Sequence, residues 1–132
     1  MSKKTPSMSC PCGGGQYQNC CEPFHLGIAV APSAEKMMRS RYSAYVLKNA
    51  PYLLDTWHDS TRPTETLFEN DGDLKWTELK IKQFSKEPNA TEAWVEFVAV
   101  FKISGKAHKL HEISSFVCED GKWLYLDGEF PE

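Results

Sequence analysis

Four of the five cysteines in this 132-residue chain lie close together near its start, at Cys10, Cys12, Cys20 and Cys21. They form two closely spaced pairs, and residues 13–15, all glycine, begin the loop between them. Each pair can supply two thiolate ligands from one side, and glycine lets the backbone reverse sharply. Soft thiolates at this density favour zinc over hard cations. The spacing therefore predicts a structural zinc site with four cysteine ligands.

Other uses of these side chains have to be weighed against zinc binding by four cysteines. His25 is an alternative ligand in place of Cys20 or Cys21, because zinc accepts both nitrogen and sulfur. A disulfide framework would suit a secreted protein, but no apolar signal segment follows the basic residues Lys3 and Lys4. A redox site is less consistent with the spacing, because a bridge between adjacent cysteines would be strained.

Metal binding would also have to fold this N-terminal segment, because its apolar side chains are few. A module of this size cannot bury enough surface to fold alone, whereas zinc contributes on the order of 10 kcal/mol to comparable modules. We therefore predict a zinc knuckle over residues 1–27, beginning in a flexible segment, and a second domain over residues 28–132.

Composition and charge indicate a globular protein that stays in the cytoplasm. Hydrophobic residues make up 41% of the chain and charged residues 25%, with a net charge of −3. No apolar run approaches the roughly 18 residues of a membrane span. Basic and acidic residues are interspersed, which disfavours nucleic-acid binding. We expect a cytoplasmic protein with no membrane partner, because reducing conditions keep thiols available for metal.

The residues that follow the knuckle predict helices first. Ser33 is a suitable N-cap for a helix over residues 34–48, where apolar side chains recur at helical spacing. Pro51 can open a second, short helix that ends near Trp57. A further helical turn is expected within residues 64–69.

Strands are predicted after Trp76, where the apolar period changes to two. Leu79 and Ile81 alternate with lysines, as in a half-buried strand, and a turn is expected at Pro88-Asn89. The next strands are predicted over residues 94–103, 108–118 and 123–127. Helices grouped before successive strands with short turns predict an α+β fold built on an antiparallel sheet.

Two parts of the chain resemble known motifs. Cys-Pro-Cys-Gly-x-Gly, followed by Tyr17 and then by Cys-Cys, resembles the SEC-C zinc motif of the SecA translocation ATPase. The downstream sequence resembles the YchJ-like family of uncharacterised bacterial proteins in Met38 to Tyr45, Thr56-Trp57-His58, Thr61-Arg62-Pro63, Val95-Glu96-Phe97, Leu110 to Phe116 and Trp123 to Gly128. The resemblance implies a cystatin-like cone, in which helices pack on a curved antiparallel sheet as in nuclear-transport-factor-two-like domains. It also implies a zinc knuckle that meets a protein partner, and it supplies no known reaction.

Side chains on the predicted helix and sheet could form a polar-bottomed pocket in the cone. Arg41 and Tyr45 are four residues apart and share a helix face. Strand alternation places Glu112 and Ser114 together, and Tyr125 with Asp127. The predicted ligand pocket consists of Arg41, Tyr45, Trp57, Glu112, Ser114 and Tyr125, with Arg41 as an anchor for an anionic small molecule. The alternative for Arg41 is a buried ion pair with Glu112 or Asp127.

Catalysis is the third hypothesis, after protein interaction and small-molecule binding. It would use Glu112 or Asp127 with His58 and Tyr45. No spacing in the chain specifies a nucleophile, a base and an oxyanion donor together, so we predict no catalytic residue. An interaction protein is therefore preferred over an enzyme.

Overall fold

The computed structural model describes residues 8–64, 66–68, 72–87 and 90–131. Helical elements come first and strands follow, as the sequence predicts for an α+β fold. The helical elements are a 3₁₀ turn (Tyr17–Asn19), α1 (Glu22–His25), α2 (Ala34–Leu47) and α3 (Ala50–Asp55). The strands are β1 (Lys75–Phe84), β2 (Glu92–Ile103), β3 (Lys106–Glu119) and β4 (Lys122–Glu129).

The four strands form an antiparallel sheet in the order β1-β2-β3-β4, so each strand pairs with its neighbour in sequence. Two-residue turns fix the register at both ends of β3. Ser104 and Gly105 have φ of 52° and 79°, and Asp120 and Gly121 have φ of 53° and 80°. Paired positive φ values are typical of type I′ turns, whose twist matches that of the flanking strands. The predicted turn at residues 88–89 lies outside the described residues.

Local capping explains where the two main helices begin and end. The Ser33 side chain accepts a hydrogen bond from the backbone N–H of Lys36 at 3.2 Å, which confirms the predicted N-cap of α2. Lys48 ends that helix in the left-handed region at φ 58°. The Asn49 side chain then accepts from the backbone N–H of Tyr52 at 3.2 Å and caps α3. The described part of residues 64–69 contains no helix, so the further helical turn expected there is not formed.

One face of the sheet packs against α2, and this contact forms the core. Buried side chains of that face come from Val95, Phe97, Ala99 and Phe116, and α2 contributes Met37, Met38, Tyr42 and Ala44. The sulfurs of Cys10, Cys12 and Cys21 belong to the same buried cluster, so the N-terminal segment adds to the core. None of the described helices combines the length and apolar character that a membrane span requires.

A β-bulge between β3 and β4 changes which side chains share a face. Phe116 pairs with Tyr125 and Ser115 pairs with Asp127, so Leu126 has no partner in the ladder. Tyr125 therefore lies on the helix-covered face with Phe116, whereas Asp127 follows Ser115 to the opposite face and is exposed. Simple alternation from Tyr125 places Asp127 beside it, and the bulge overturns that placement.

Leu53 of α3 provides a test of the packing, because its side chain is fully buried. We expect Leu53→Ala to lower the free energy of unfolding by about 2–5 kcal/mol, since it leaves a cavity in the core. The matched control is Leu47→Ala, where the leucine is 40% exposed and the loss should stay below about 1 kcal/mol. Urea denaturation measures both values. Similar losses in the two variants would contradict the described packing of α3.

Candidate metal centre

A tight turn and the start of a short helix bring the four N-terminal cysteines together. The backbone N–H of Cys10 donates to the carbonyl of Gly15 at 2.7 Å, and that of Gly13 donates to the carbonyl of Cys10 at 2.9 Å. This turn holds Cys10 and Cys12 on one side. Cys20 follows the 3₁₀ turn, and the next cysteine along is the N-cap residue of α1.

The sulfur atoms have the separations of a tetrahedral metal site. All four Sγ atoms lie within 4.8 Å of one another. Cys12 Sγ is 3.5 Å from Cys20 Sγ and 3.8 Å from Cys21 Sγ. Four sulfurs around zinc, each at a bond length of about 2.3 Å, would be roughly 3.8 Å apart. The donor set therefore fits one tetrahedral ion with soft ligands.

Gly14 supplies the space that the sulfurs occupy. A Cβ atom at this position would lie 3.0 Å from Cys20 Sγ and 3.3 Å from Cys12 Sγ. The loop backbone thus passes so close to the sulfurs that a side chain would displace them. The glycine is needed here for close approach rather than for an unusual φ.

Helix α2 holds the cluster from its other side through two residues that the sequence analysis missed. The hydroxyl of Ser43 is fully buried, donates to Cys21 Sγ at 3.3 Å and lies 3.4 Å from Cys10 Sγ. Arg39 Nη1 donates to the Cys12 carbonyl at 3.0 Å. Arg39 and Ser43 are four residues apart and share a helix face, and this spacing is the signal that could have found them.

The pKa values of the cluster thiols differ widely in the absence of a cation. Hydrogen bonds from Cys12 and Cys21 lower the pKa of Cys10 far below its ordinary value. Hydrogen bonds to Cys10 and Cys12 raise the pKa of Cys21, and burial raises that of Cys20 to about 12. Cys10 therefore takes negative charge more readily, whereas Cys20 and Cys21 keep their protons. A divalent ion would let all four ionise, and protons would be released as it binds.

His25 lies beside this cluster and makes other contacts. Its Nε2 donates to the carbonyl of Ser40 at 2.8 Å, and its Nδ1 lies 2.7 Å from the hydroxyl of Tyr17. Because a carbonyl can only accept, the neutral ring carries its proton on Nε2 and accepts from Tyr17. Nε2 thus joins α1 to α2 and Nδ1 joins α1 to the 3₁₀ turn, and His25 is not among the grouped metal-ligating side chains.

A cavity of about 160 Å³ lies on another side of α2, between the helix and the sheet. Five of the six residues predicted for a ligand pocket line it: Arg41, Tyr45, Glu112, Ser114 and Tyr125. The sixth, Trp57, does not line the cavity; its ring contacts the guanidinium of Arg41, which does. Its remaining walls come from Met38, Tyr42, Trp76, Phe97, Ala99 and Leu110.

Arg41 is only 2% exposed, and its guanidinium packs against two neighbouring aromatic rings. Its Cζ lies 4.9 Å from the centre of the Trp57 ring and 4.7 Å from that of Tyr125. Nη1 donates to the Leu53 carbonyl at 2.9 Å and to Thr56 Oγ1 at 2.7 Å, which ties α2 to the end of α3. Burial lowers the pKa of this arginine. Within the described structure, no ion pair joins it to a carboxylate, so neither predicted ion pair is formed.

Glu112 is 7% exposed and is held by two hydroxyl groups. Its Oε2 accepts from Ser114 Oγ at 2.9 Å and from Tyr125 Oη at 3.0 Å. Burial, followed by the charge of Glu112, raises the pKa of Tyr125, so the phenol keeps the proton that it donates. Gly128 leaves room for this carboxyl, because the Glu112 side chain occupies the place where a Cβ atom on residue 128 would be. Sequence alternation found Glu112 but gave no sign of the role of Gly128.

The side chains considered for catalysis are not assembled at one place. Tyr45 and Glu112 line the cavity, but His58 lies elsewhere, with its Nε2 2.8 Å from Glu119 Oε2 and its Nδ1 2.9 Å from Ser60 Oγ. Asp127 is exposed on the far face of the sheet. The acid–base set of four residues therefore does not form in the described structure.

Comparison with known proteins places the chain in a family. A family model described as "YchJ, middle NTF2-like domain" matches residues 33–128. The chain belongs to the YchJ-like family. A UPF0225 protein of Ralstonia nicotianae is 48% identical, over 94% of this chain and 92% of the relative. A UPF0225 protein of Bordetella pertussis is 49% identical, over 96% of this chain and 98% of the relative.

Two solved structures of SEC-C motif containing proteins resemble this YchJ-like chain along most of its length. The solution structure from Rhodopseudomonas palustris has a TM-score of 0.83 and 32% identity, covering 95% of this chain and all of the other (100%). The crystal structure from Psychrobacter arcticus has a TM-score of 0.78 and 27% identity, covering 95% and 84%. The predicted family and the predicted fold are thereby confirmed.

The contact between Gly128 and Glu112 gives a test of the cavity floor. We expect Gly128→Ala to lower the free energy of unfolding by about 1–3 kcal/mol, because the new methyl group must displace the carboxyl. In a Glu112→Ala background the same change should cost much less, since the obstructing carboxyl is gone. A double-mutant cycle of denaturation midpoints measures this coupling. Equal costs in both backgrounds would show that the two residues do not meet.

Proposed function

We propose that this YchJ-like protein binds one zinc ion through Cys10, Cys12, Cys20 and Cys21, and that the resulting knuckle docks a protein partner. The observation that carries the proposal is the convergence of four sulfurs within 4.8 Å of one another. Thiolate ligands in this number select zinc or an iron–sulfur centre over hard cations. Tetrahedral zinc requires sulfur atoms about 3.8 Å apart, so a cluster of this size favours a single zinc ion.

The role of the zinc in this proposal is structural. Four protein ligands leave no open position for a substrate or an activated water, as in zinc sites that stabilise folds. Three of the four cysteines are at most 4% exposed, which keeps solvent from the sulfurs. The ion would connect the turn at residues 10–15 to α1, and Ser43 and Arg39 would connect that unit to α2. The zinc would thus give the N-terminal segment a fixed shape on the cone.

An apolar surface next to the knuckle supports a docking role. We call Leu26, Ile28 and Val30 the knuckle ridge; their side chains are 64%, 77% and 55% exposed. Leu26 and Val30 border a groove of about 380 Å³ that is also lined by Phe24, Met37, Tyr52 and Trp123. Contiguous exposed apolar side chains beside a groove are typical of protein-binding surfaces.

The charge of this region indicates what kind of partner it would take. Residues 13–19 of the knuckle loop and residues 26–33 contain no Asp, Glu, Lys or Arg. The groove adds one charge of each sign, Lys122 and Asp55, so the surface as a whole offers no excess of cations to an acidic partner. The partner we propose presents a neutral segment with apolar side chains that pack on the ridge and into the groove.

Zinc content is the first measurement. Protein purified under reducing conditions without chelator should contain one zinc ion per chain by elemental analysis. Cys12→Ser should lose the metal and lower the Tm by about 10 °C, because metal binding and folding of the segment are linked. Acidification should also release the ion, since the thiols must be deprotonated to bind it.

Cys118→Ser is the matched control, because this cysteine lies at the end of β3 and outside the cluster. It should keep full zinc content. The proposed site would be overturned if protein purified without chelator contained less than one zinc ion per chain. Equal metal loss in the two serine variants would also overturn it.

A docking partner can be tested with surface variants that leave the cysteines intact. We expect a variant with all three ridge residues changed to serine to lose a partner that the native chain retains in a pull-down. The control changes Leu47 and Ile103, each 40% exposed elsewhere on the molecule, to serine and should keep it. Circular dichroism confirms that both variants are folded. A partner kept by the ridge variant, or lost equally in the control, would contradict docking at the ridge.

A further inference from the structure

The cavity between α2 and the sheet contains two buried groups of opposite charge that do not pair with each other. Arg41 is 2% exposed and Glu112 is 7% exposed, and both line the cavity. Unpaired buried charges are costly, so a polar group placed between the two would lower that cost. This feature does not depend on the metal centre.

Each of the two groups has hydrogen-bonding capacity left over. The hydrogen bonds of Arg41 all come from Nη1, and its Nε and Nη2 have no hydrogen-bond partner among the described residues. Glu112 accepts both of its hydrogen bonds through Oε2, which leaves Oε1 without a partner in the same part of the chain. The cavity therefore offers N–H donors from one residue and a carboxylate acceptor from the other.

The balance of charge is unfavourable to a simple anion. Two hydroxyl groups donate to the same oxygen of the Glu112 carboxylate. An anion bound by Arg41 would meet that negative charge in a poorly solvated space. A head group that is neutral, accepts from Arg41 and donates to Glu112 would satisfy both residues without adding charge.

Size and lining limit the rest of the ligand. The cavity measures about 160 Å³, and cavities on the order of 150 Å³ accommodate a single aromatic ring. Aromatic and aliphatic side chains form most of its wall, including those of Tyr42, Trp76, Phe97 and Leu110. These walls would pack against a small flat apolar body.

We propose that this cavity binds a small neutral molecule with one ring and a primary carboxamide-type head group that bridges Arg41 and Glu112. The carbonyl of the head accepts from the guanidinium, and its N–H₂ group donates to the carboxylate. Trp57 and Tyr125 contact the guanidinium from adjacent positions and, with the two hydrogen bonds from Nη1, set its orientation before the ligand arrives.

Three probes of equal size distinguish this head group from the alternatives. Benzamide both accepts and donates, benzoate only accepts, and benzamidinium only donates. Full-length protein purified without chelator is titrated with each while NMR signals of the Met38 methyl and the Trp76 indole are followed. We expect benzamide to bind with a Kd on the order of 1 mM, as suits a ligand of this size, and at least about tenfold tighter than the other two. The Trp94 indole, on the opposite face of the sheet, should not respond.

Glu112→Gln keeps the shape of the side chain and removes its charge. It should weaken benzamide binding about tenfold and strengthen benzoate binding, so the ratio of the two Kd values shifts by more than tenfold. Glu96→Gln makes the same change on the opposite face and should leave both Kd values unchanged. Thermal melting of both variants checks that the fold is intact.

The outcomes separate the proposal from its rivals. Tightest binding by benzoate would indicate an anion site and overturn the bridging role of Glu112. Tightest binding by benzamidinium would indicate a cation site and overturn the role of Arg41. No signal shift with any probe at about 10 mM, far above the expected Kd, would show that the cavity does not bind such ligands.

Discussion

The enclosure of α2 is the constraint on which the rest of the structure depends. Five consecutive residues of this helix, Ser40, Arg41, Tyr42, Ser43 and Ala44, are at most 3% exposed. Consecutive residues point in different directions around a helix, so a run of this kind is possible only if every side of the helix is covered. The sheet covers one side, α3 a second, and the cysteine knuckle a third. Each cover has to satisfy the polar side chains that it buries.

This enclosure links the cysteine cluster to the cone. Ser43 donates to a cysteine sulfur, and the Ser40 carbonyl accepts from His25, so the knuckle covers polar groups that would otherwise face water. Arg41, between them in sequence, faces the cavity instead. The domain boundary at residue 27 stays a prediction. The hydrogen bonds to Ser40 and Ser43 hold the knuckle against α2.

Some features follow from sequence patterns alone, because they depend on neighbours in the chain. The α+β order, the Ser33 cap and the cysteine pairs are of this kind. Other features depend on how distant segments meet. The bulge that places Asp127 on the far face follows from the pairing of β3 with β4, and no pattern of neighbouring residues in the sequence predicts it. The contact of Gly14 with the sulfurs, and that of Gly128 with Glu112, likewise require the backbone to approach a side chain from elsewhere.

Energetics indicate that Arg41 and Glu112 are not needed for stability alone. A buried charge without a counter-ion loses hydration that hydrogen bonds replace only in part, and apolar side chains of similar volume often give a more stable protein. Here the guanidinium is positioned by two rings and two hydrogen bonds, yet among the described residues it forms no ion pair with the carboxylate that lines the same cavity. A purely structural ion pair would close that gap, because contact between the charges lowers the energy of both. A molecule that fits between them, as we propose, would satisfy both charges.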